Sequence, residues 1–100
     1  MPLYLHFHQS FNKSLKKLDT KQKEIIALIM EALMEYYSSA CDLHKAKQIA
    51  PGFFYKQLRK PYYEAGIERS LRIVIERKRE RCTAVLAGKH DQIARFLAGQ

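Results

Sequence analysis

The sequence predicts an α+β domain spanning residues 1–100: two N-terminal helices packed on a four-stranded, mainly antiparallel sheet, with a short C-terminal helix. Three observations predict it. Apolar residues in positions 11–40 recur at helical spacing. Residues 3–8 and three stretches after Pro51 alternate, or run apolar, as strands do. Short connections join those later strands, which favours an antiparallel meander.

The first strand is Leu3 to His8, with Leu3, Leu5 and Phe7 on one side and Tyr4, His6 and His8 on the other. Ser10 is the expected N-cap of a helix that buries Phe11, Leu15 and Leu18 and exposes Lys13, Lys16 and Lys17. Asp19 and Gln22 form a capping box for a long helix to about Ala40. Ile25, Ile29, Ala32 and Tyr36 make its stripe, widened by Ile26, Leu33 and Tyr37. Residues 41–52 carry no clear pattern until Pro51-Gly52 signals a turn.

Phe53 to Arg59 is the second strand, and Lys60 to Gly66 reads as a loop punctuated by Pro61 and Gly66. In the third strand Leu71, Ile73 and Ile75 face one side and Arg72, Val74 and Glu76 the other. Lys78 to Glu80 is a charged turn, and Cys82 to Ala87 is apolar enough for a central strand. Asp91 is the expected N-cap of the last helix, with Ile93, Phe96 and Leu97 on its buried face.

The chain carries a formal charge of +8, which favours a polyanionic partner. Seven Lys and no Arg face five acids in residues 1–50, a balance of +2. Eleven Lys plus Arg face five acids in residues 51–100, a balance of +6. Arginine forks onto phosphate better than lysine, so the second half is where a phosphate-binding surface is expected. Cys41 and Cys82 have no metal-ligand spacing and read as reduced thiols in a cytoplasmic protein. Residues 1–5 lack the features of a signal peptide, and no run is long enough to span a membrane.

If Leu71, Ile73 and Ile75 are buried, Arg72 projects from the opposite face. Burying Phe54 with Leu58 puts Tyr55, Gln57 and Arg59 on that open face and leaves Lys56 at its edge. A ring beside guanidinium groups suits single-stranded RNA. His90 supplies an imidazole, which can move protons near neutral pH. Lys89 beside it and Arg81, in the Arg77–Arg81 charge run, are further candidate RNA contacts. His6 and His8 have the i, i+2 spacing of metal ligands but no third partner, and no metal or cofactor is expected.

These segments together resemble the RelE/ParE toxin superfamily of type II toxin–antitoxin modules. The resemblance rests on Phe11 to Leu18, Gly52 to Arg59, Leu71-Arg72-Ile73-Val74-Ile75 and Gly88-Lys89-His90-Asp91-Gln92-Ile93. It implies a ribosome-dependent mRNA endonuclease that inhibits translation, held in check by a cognate acidic antitoxin. Arg72 matches the arginine of the superfamily's Y-R-[IVL]-[IVL] strand, with Leu71 in place of the aromatic residue. Arg59 matches the basic residue closing the second strand, and His90 the histidine of the G-x-H-x-x-[IV]-Y pattern. That pattern's final aromatic falls at Ala94, Tyr55 and Gln57 stand where RelE has lysines, and the Lys60–Arg69 connection is longer than the usual tight turn. These departures leave a ParE-like inhibitor of DNA gyrase, or a degenerate RNA-binding member, as alternatives.

Overall fold

A computed structural model describes residues 4–68 and 71–100. The elements are β1 (Tyr4–Phe7), α1 (Gln9–Lys16), α2 (Thr20–Ser38), α3 (Leu43–Ile49), β2 (Phe53–Gln57), β3 (Tyr62–Ile67), β4 (Arg72–Lys78), β5 (Arg81–Gly88) and α4 (His90–Ala98). The sheet has five strands in the order β1-β5-β4-β3-β2. β1 runs parallel to β5, and the other neighbours are antiparallel. No helix among the described residues is long and apolar enough to cross a membrane.

The α+β class and the mainly antiparallel sheet are as expected, but the sheet has five strands where four were expected. The extra strand is β3, in the stretch whose sequence reads as a loop. Pro61 lies in the turn that precedes it: the Leu58 amide donates to the Tyr62 carbonyl at 2.9 Å and the Tyr62 amide to the Arg59 carbonyl at 2.8 Å. Gly66 lies within the strand, opposite Phe54 of β2 and Arg72 of β4. A Cβ built there would stand 3.0 Å from the Arg72 Cγ, 3.0 Å from the Leu71 carbonyl oxygen and 3.2 Å from a Phe54 ring carbon. The glycine marks a close approach of side chains, not a break in the strand.

Three helices, not two, precede β2. α3 occupies the stretch without a clear pattern. Its signal is Asp42, whose carboxylate accepts from the amides of His44 and Lys45 at 3.0 and 3.3 Å. Ala40 and Cys41, at φ of 58° and 64°, turn the chain sharply between α2 and this cap.

The Asp19–Gln22 capping box is present at the start of α2. α1 is capped two residues earlier than expected. The imidazole Nδ1 of His8, not the hydroxyl of Ser10, accepts from the Ser10 amide, at 3.1 Å. The Ser10 hydroxyl donates instead to the Val85 carbonyl at 2.6 Å. Val85 sits where the β4–β5 register shifts, since Val74 pairs with Leu86 and Ile75 with Ala84. Such a bulge frees ladder groups. Ser10 takes one, and the Ser14 hydroxyl accepts from the Ala87 amide at 2.9 Å.

Two apolar layers result. The larger lies between one sheet face and α1, α2 and α3, and includes Phe11, Ile29, Leu33, Phe53, Ile73 and Ile75. On the other face, Ile93 of α4 packs with Tyr62, Val74 and Val85, flanked by Leu58 and Phe96. α4 therefore covers the half of that face near Leu58 and leaves the Gly66–Arg72 half open.

Candidate functional site

The open half of the second face is built by β2, β3, β4 and the start of α4. Strand alternation sends Phe54 and Lys56, Glu64 and Gly66, and Arg72 to this face. Lys56 stands opposite Glu64 on β3. β5 ends at Gly88, opposite Arg72, so the next turn lays His90 beside it.

At the centre is Glu64, only 1% exposed and the single buried charged residue among the described residues. Its Oε1 accepts from Arg72 Nη1 at 3.1 Å and lies 3.2 Å from Lys56 Nζ. The same Nη1 stands 3.0 Å from His90 Nδ1. A guanidinium can only donate, so Nδ1 is the acceptor in this contact. The Arg72 guanidinium carbon lies 5.3 Å from the centroid of the Phe54 ring, and Lys56 Nζ 5.7 Å from it. Arg72 Nε is buried without a hydrogen-bond partner.

Two clefts meet at Arg72. One, of about 560 Å³, has Ile25 and Leu71 as apolar lining and Gln22, Arg72, Lys89, His90 and Asp91 as polar lining. The other, of about 510 Å³, is lined by Phe54, Lys56, Glu68 and Arg72. Guanidinium, ammonium and imidazole groups thus converge around one buried carboxylate, with an aromatic ring alongside. Such a surface can hold a phosphodiester, stack a base and move a proton.

Of the residues expected on this face, Arg72, Lys56, Lys89 and His90 come together. Tyr55 does not. Phe53, 1% exposed, anchors the strand under the helices, so alternation turns Tyr55 the same way. This inverts the expected sides of the strand. The Tyr55 hydroxyl is 2.9 Å from that of Tyr37, and its ring lies 4.6 Å from Tyr36 and stacks on Tyr63 at 5.5 Å. Burial raises the Tyr55 and Tyr37 pKa values, and burial with the neighbouring Cys41 pushes Tyr36 up to about 12.

Arg59 also lies elsewhere. It follows β2, in the turn before β3, and its Nη2 donates to the carbonyls of Leu97 and Gln100 at 2.8 and 3.0 Å. It clamps the end of α4, where carbonyls lack helical partners. Arg81 is at the other end of β5 from Gly88, in a surface recess with His8, Glu76 and Lys78. Seven residue steps put roughly 23 Å between those ends. The expected N-cap at Asp91 is corrected too. α4 starts at His90 with Lys89 as its cap residue, whose amide donates to Gln92 Oε1 at 2.7 Å. Asp91 sits in the first turn, 3.8 Å from Arg95.

Two members of the site were missed. Glu64 lies in the stretch that Pro61 and Gly66 mark as a loop in the sequence. Its signal was the alternation of Tyr62, Glu64 and Gly66 with Tyr63, Ala65 and Ile67. Phe54, expected on the buried side of its strand, lines the second cleft with its ring. Among the described residues, no group of three or more His, Cys, Asp or Glu is arranged to hold a metal ion.

No protein-family model matches the chain, and no curated protein sequence matches it. Solved structures do. A chain of the RelB–RelE antitoxin–toxin complex from Methanococcus jannaschii superposes with a TM-score of 0.60 at 20% identity, over 91% of this chain and 96% of that one. A copper-bound mutant toxin from Helicobacter pylori superposes with a TM-score of 0.59 at 19% identity, over 93% of this chain and 99% of that one.

Proposed function

We propose that this chain, which has the RelE-like toxin fold, is the toxin of a toxin–antitoxin pair and cleaves ribosome-bound mRNA. One observation carries the reading: a proton-moving imidazole, His90, stands 3.0 Å from a phosphate-binding guanidinium, Arg72, in an open basic cleft. In the reaction a ribose 2′-oxygen attacks the adjacent phosphorus and the bond to the 5′-oxygen breaks. The products are a 2′,3′-cyclic phosphate and a 5′-hydroxyl. One proton leaves the 2′-hydroxyl and one reaches the leaving oxygen, and His90 serves one of these transfers. Arg72, with Lys56 and Lys89, meets the charge that builds on the phosphate oxygens. The Phe54 ring provides a stacking surface for a flanking base.

A small acidic antitoxin is the proposed inhibitor, matching the +8 charge of the chain. The second reading, a gyrase-binding toxin without RNase chemistry, is favoured by α4. Ala94 is exposed where the nuclease pattern carries an aromatic residue, and Phe96 packs edge-on against Tyr62 at 5.3 Å instead of entering the cleft.

The test is cleavage of mRNA on purified ribosomes beside a DNA supercoiling assay. The nuclease reading expects ribosome-dependent cleavage with cyclic phosphate ends and unaffected supercoiling. Blocked supercoiling with intact mRNA would replace it with the second reading.

A further inference from the structure

We infer that Glu64 is a positioning residue that acts through Arg72 on His90. The carboxylate is 1% exposed, so a substrate does not reach it. Its effect passes through the two cations it holds. Of these, Lys56 is 57% exposed and Arg72 only 17%. Arg72 is therefore the more constrained partner.

The constraint has a direction. One nitrogen, Arg72 Nη1, serves both Glu64 Oε1 and His90 Nδ1, at 3.1 and 3.0 Å. It carries two protons, so each contact takes one. The imidazole whose Nδ1 accepts must carry its ring proton on Nε2. Glu64 thus sets the guanidinium and the guanidinium sets the tautomer, so that Nδ1 is the nitrogen that takes a proton once Nη1 turns from it to the phosphate. Packing fixes the stem of Arg72 as well. The absent side chain at Gly66 lets Arg72 Cγ lie against β3, with the Phe54 ring beside the guanidinium. Nε is buried without a partner, so Nη2 is the remaining donor at the tip of the guanidinium that can turn to a phosphate.

This rests on the proposed nuclease reading for its catalytic meaning, but the positioning itself can be read in the free protein. The experiment is ¹⁵N NMR of the full chain as wild type, Glu64→Gln and Arg72→Met. In wild type, His90 should give the Nε2–H tautomer alone, and the four Nη protons of Arg72 should resolve separately. In Glu64→Gln, the Arg72 protons should average and the Nδ1–H form of His90 should become visible. Arg72→Met keeps an apolar stem and should release His90 in the same way, and Glu64→Met should reproduce the Glu64→Gln pattern if that variant does not fold. An Nδ1–H imidazole in wild type, His90 and Arg72 signals unchanged when Glu64 is replaced, or His90 signals unchanged in Arg72→Met, overturns the inference. In the ribosome assay, Glu64→Gln should lower kcat about tenfold or more with KM within about threefold, the mark of lost orientation. An equal kcat with a raised KM also overturns it. Absence of cleavage by wild type sinks the nuclease reading, while the NMR result still decides whether Glu64 positions the pair.

Discussion

Removing the Arg72 guanidinium should cost stability as well as activity, and the two can be separated. Arg72→Ala strips Glu64 of its better-buried partner. Breaking a buried pair by deleting one member costs about 3–5 kcal/mol, because the remaining charge is stranded. Lys56 stays 3.2 Å away and offsets part of this, so about 2–4 kcal/mol is expected. Lys56→Ala should cost only about 0–1 kcal/mol, since that ammonium is largely in water and Arg72 remains to hold the carboxylate. In a domain of this size each kcal/mol moves Tm by about 4–8 °C. Arg72→Ala should therefore lower Tm by roughly 10–30 °C. The double variant Glu64→Met/Arg72→Met removes the buried charge together with its partner. It should recover most of the loss, because an apolar pair in place of a buried ion pair is often neutral. A double-mutant cycle by urea unfolding measures the coupling. An Arg72→Ala cost below about 1 kcal/mol, or a double variant as unstable as the sum of the singles, would refute the argument that Glu64 is committed to Arg72. The double variant is then the proper vehicle for the activity test. Folded but without the guanidinium, it should lose cleavage by about a hundredfold or more.

Four further outcomes are expected. His90→Gln should slow ribosome-dependent cleavage, because the imidazole that passes the proton is gone; equal rates in both proteins would remove His90 from proton transfer. Arg59→Ala should lower stability by about 1 kcal/mol, as two carbonyls of the α4 end lose their donor, and speed amide exchange in α4, while cleavage stays within a few-fold; a loss as large as that of the Arg72 variants would return Arg59 to the phosphate site. Stability should fall as pH rises from about 10 towards 12. Tyr36, Tyr37 and Tyr55 have raised pKa values in the folded protein, so the unfolded chain releases those protons first. Urea midpoints measured from pH 9 to 12 check this, and a flat series contradicts it. Growth arrest on expression should be relieved by a small acidic antitoxin whose affinity falls with salt; salt-independent binding would argue against an electrostatic interface.

Much of the fold was legible because period and punctuation agreed. The capping box at Asp19, the alternation of Leu71, Ile73 and Ile75 against Arg72, and the apolar run of β5 all led to the elements found. β3 was lost because Pro61 and Gly66 are ordinary loop signals. Only the tertiary setting reveals that one sits in a turn and the other makes room for Arg72. The sides of β2 were inverted for a related reason. Phe53, Phe54 and Tyr55 are consecutive aromatics, so alternation alone does not say which is buried. The choice falls to the helices, which take Phe53 and Tyr55 and leave Phe54 to the cleft. Arg72 and His90 were legible as separate residues. Their contact was not, because it depends on where β5 ends relative to β4. Glu64 followed β3 out of view.

The edge strand β1 has consequences for biosynthesis. Tyr4 to Phe7 pairs only with Arg81 to Ala84, nearly eighty positions later, and the hydroxyls of Ser10 and Ser14 reach Val85 and Ala87. The beginning of the chain therefore has no sheet to join until β5 has been synthesised. Closing so long a loop is slow relative to local helix formation. β5 then has to leave the exit tunnel before β1 can dock, with α4 following it. A nascent chain that stops short of β5 lacks His90 and also a seat for its own first strand. The Arg72–His90 cleft is in this way among the last parts of the molecule to assemble.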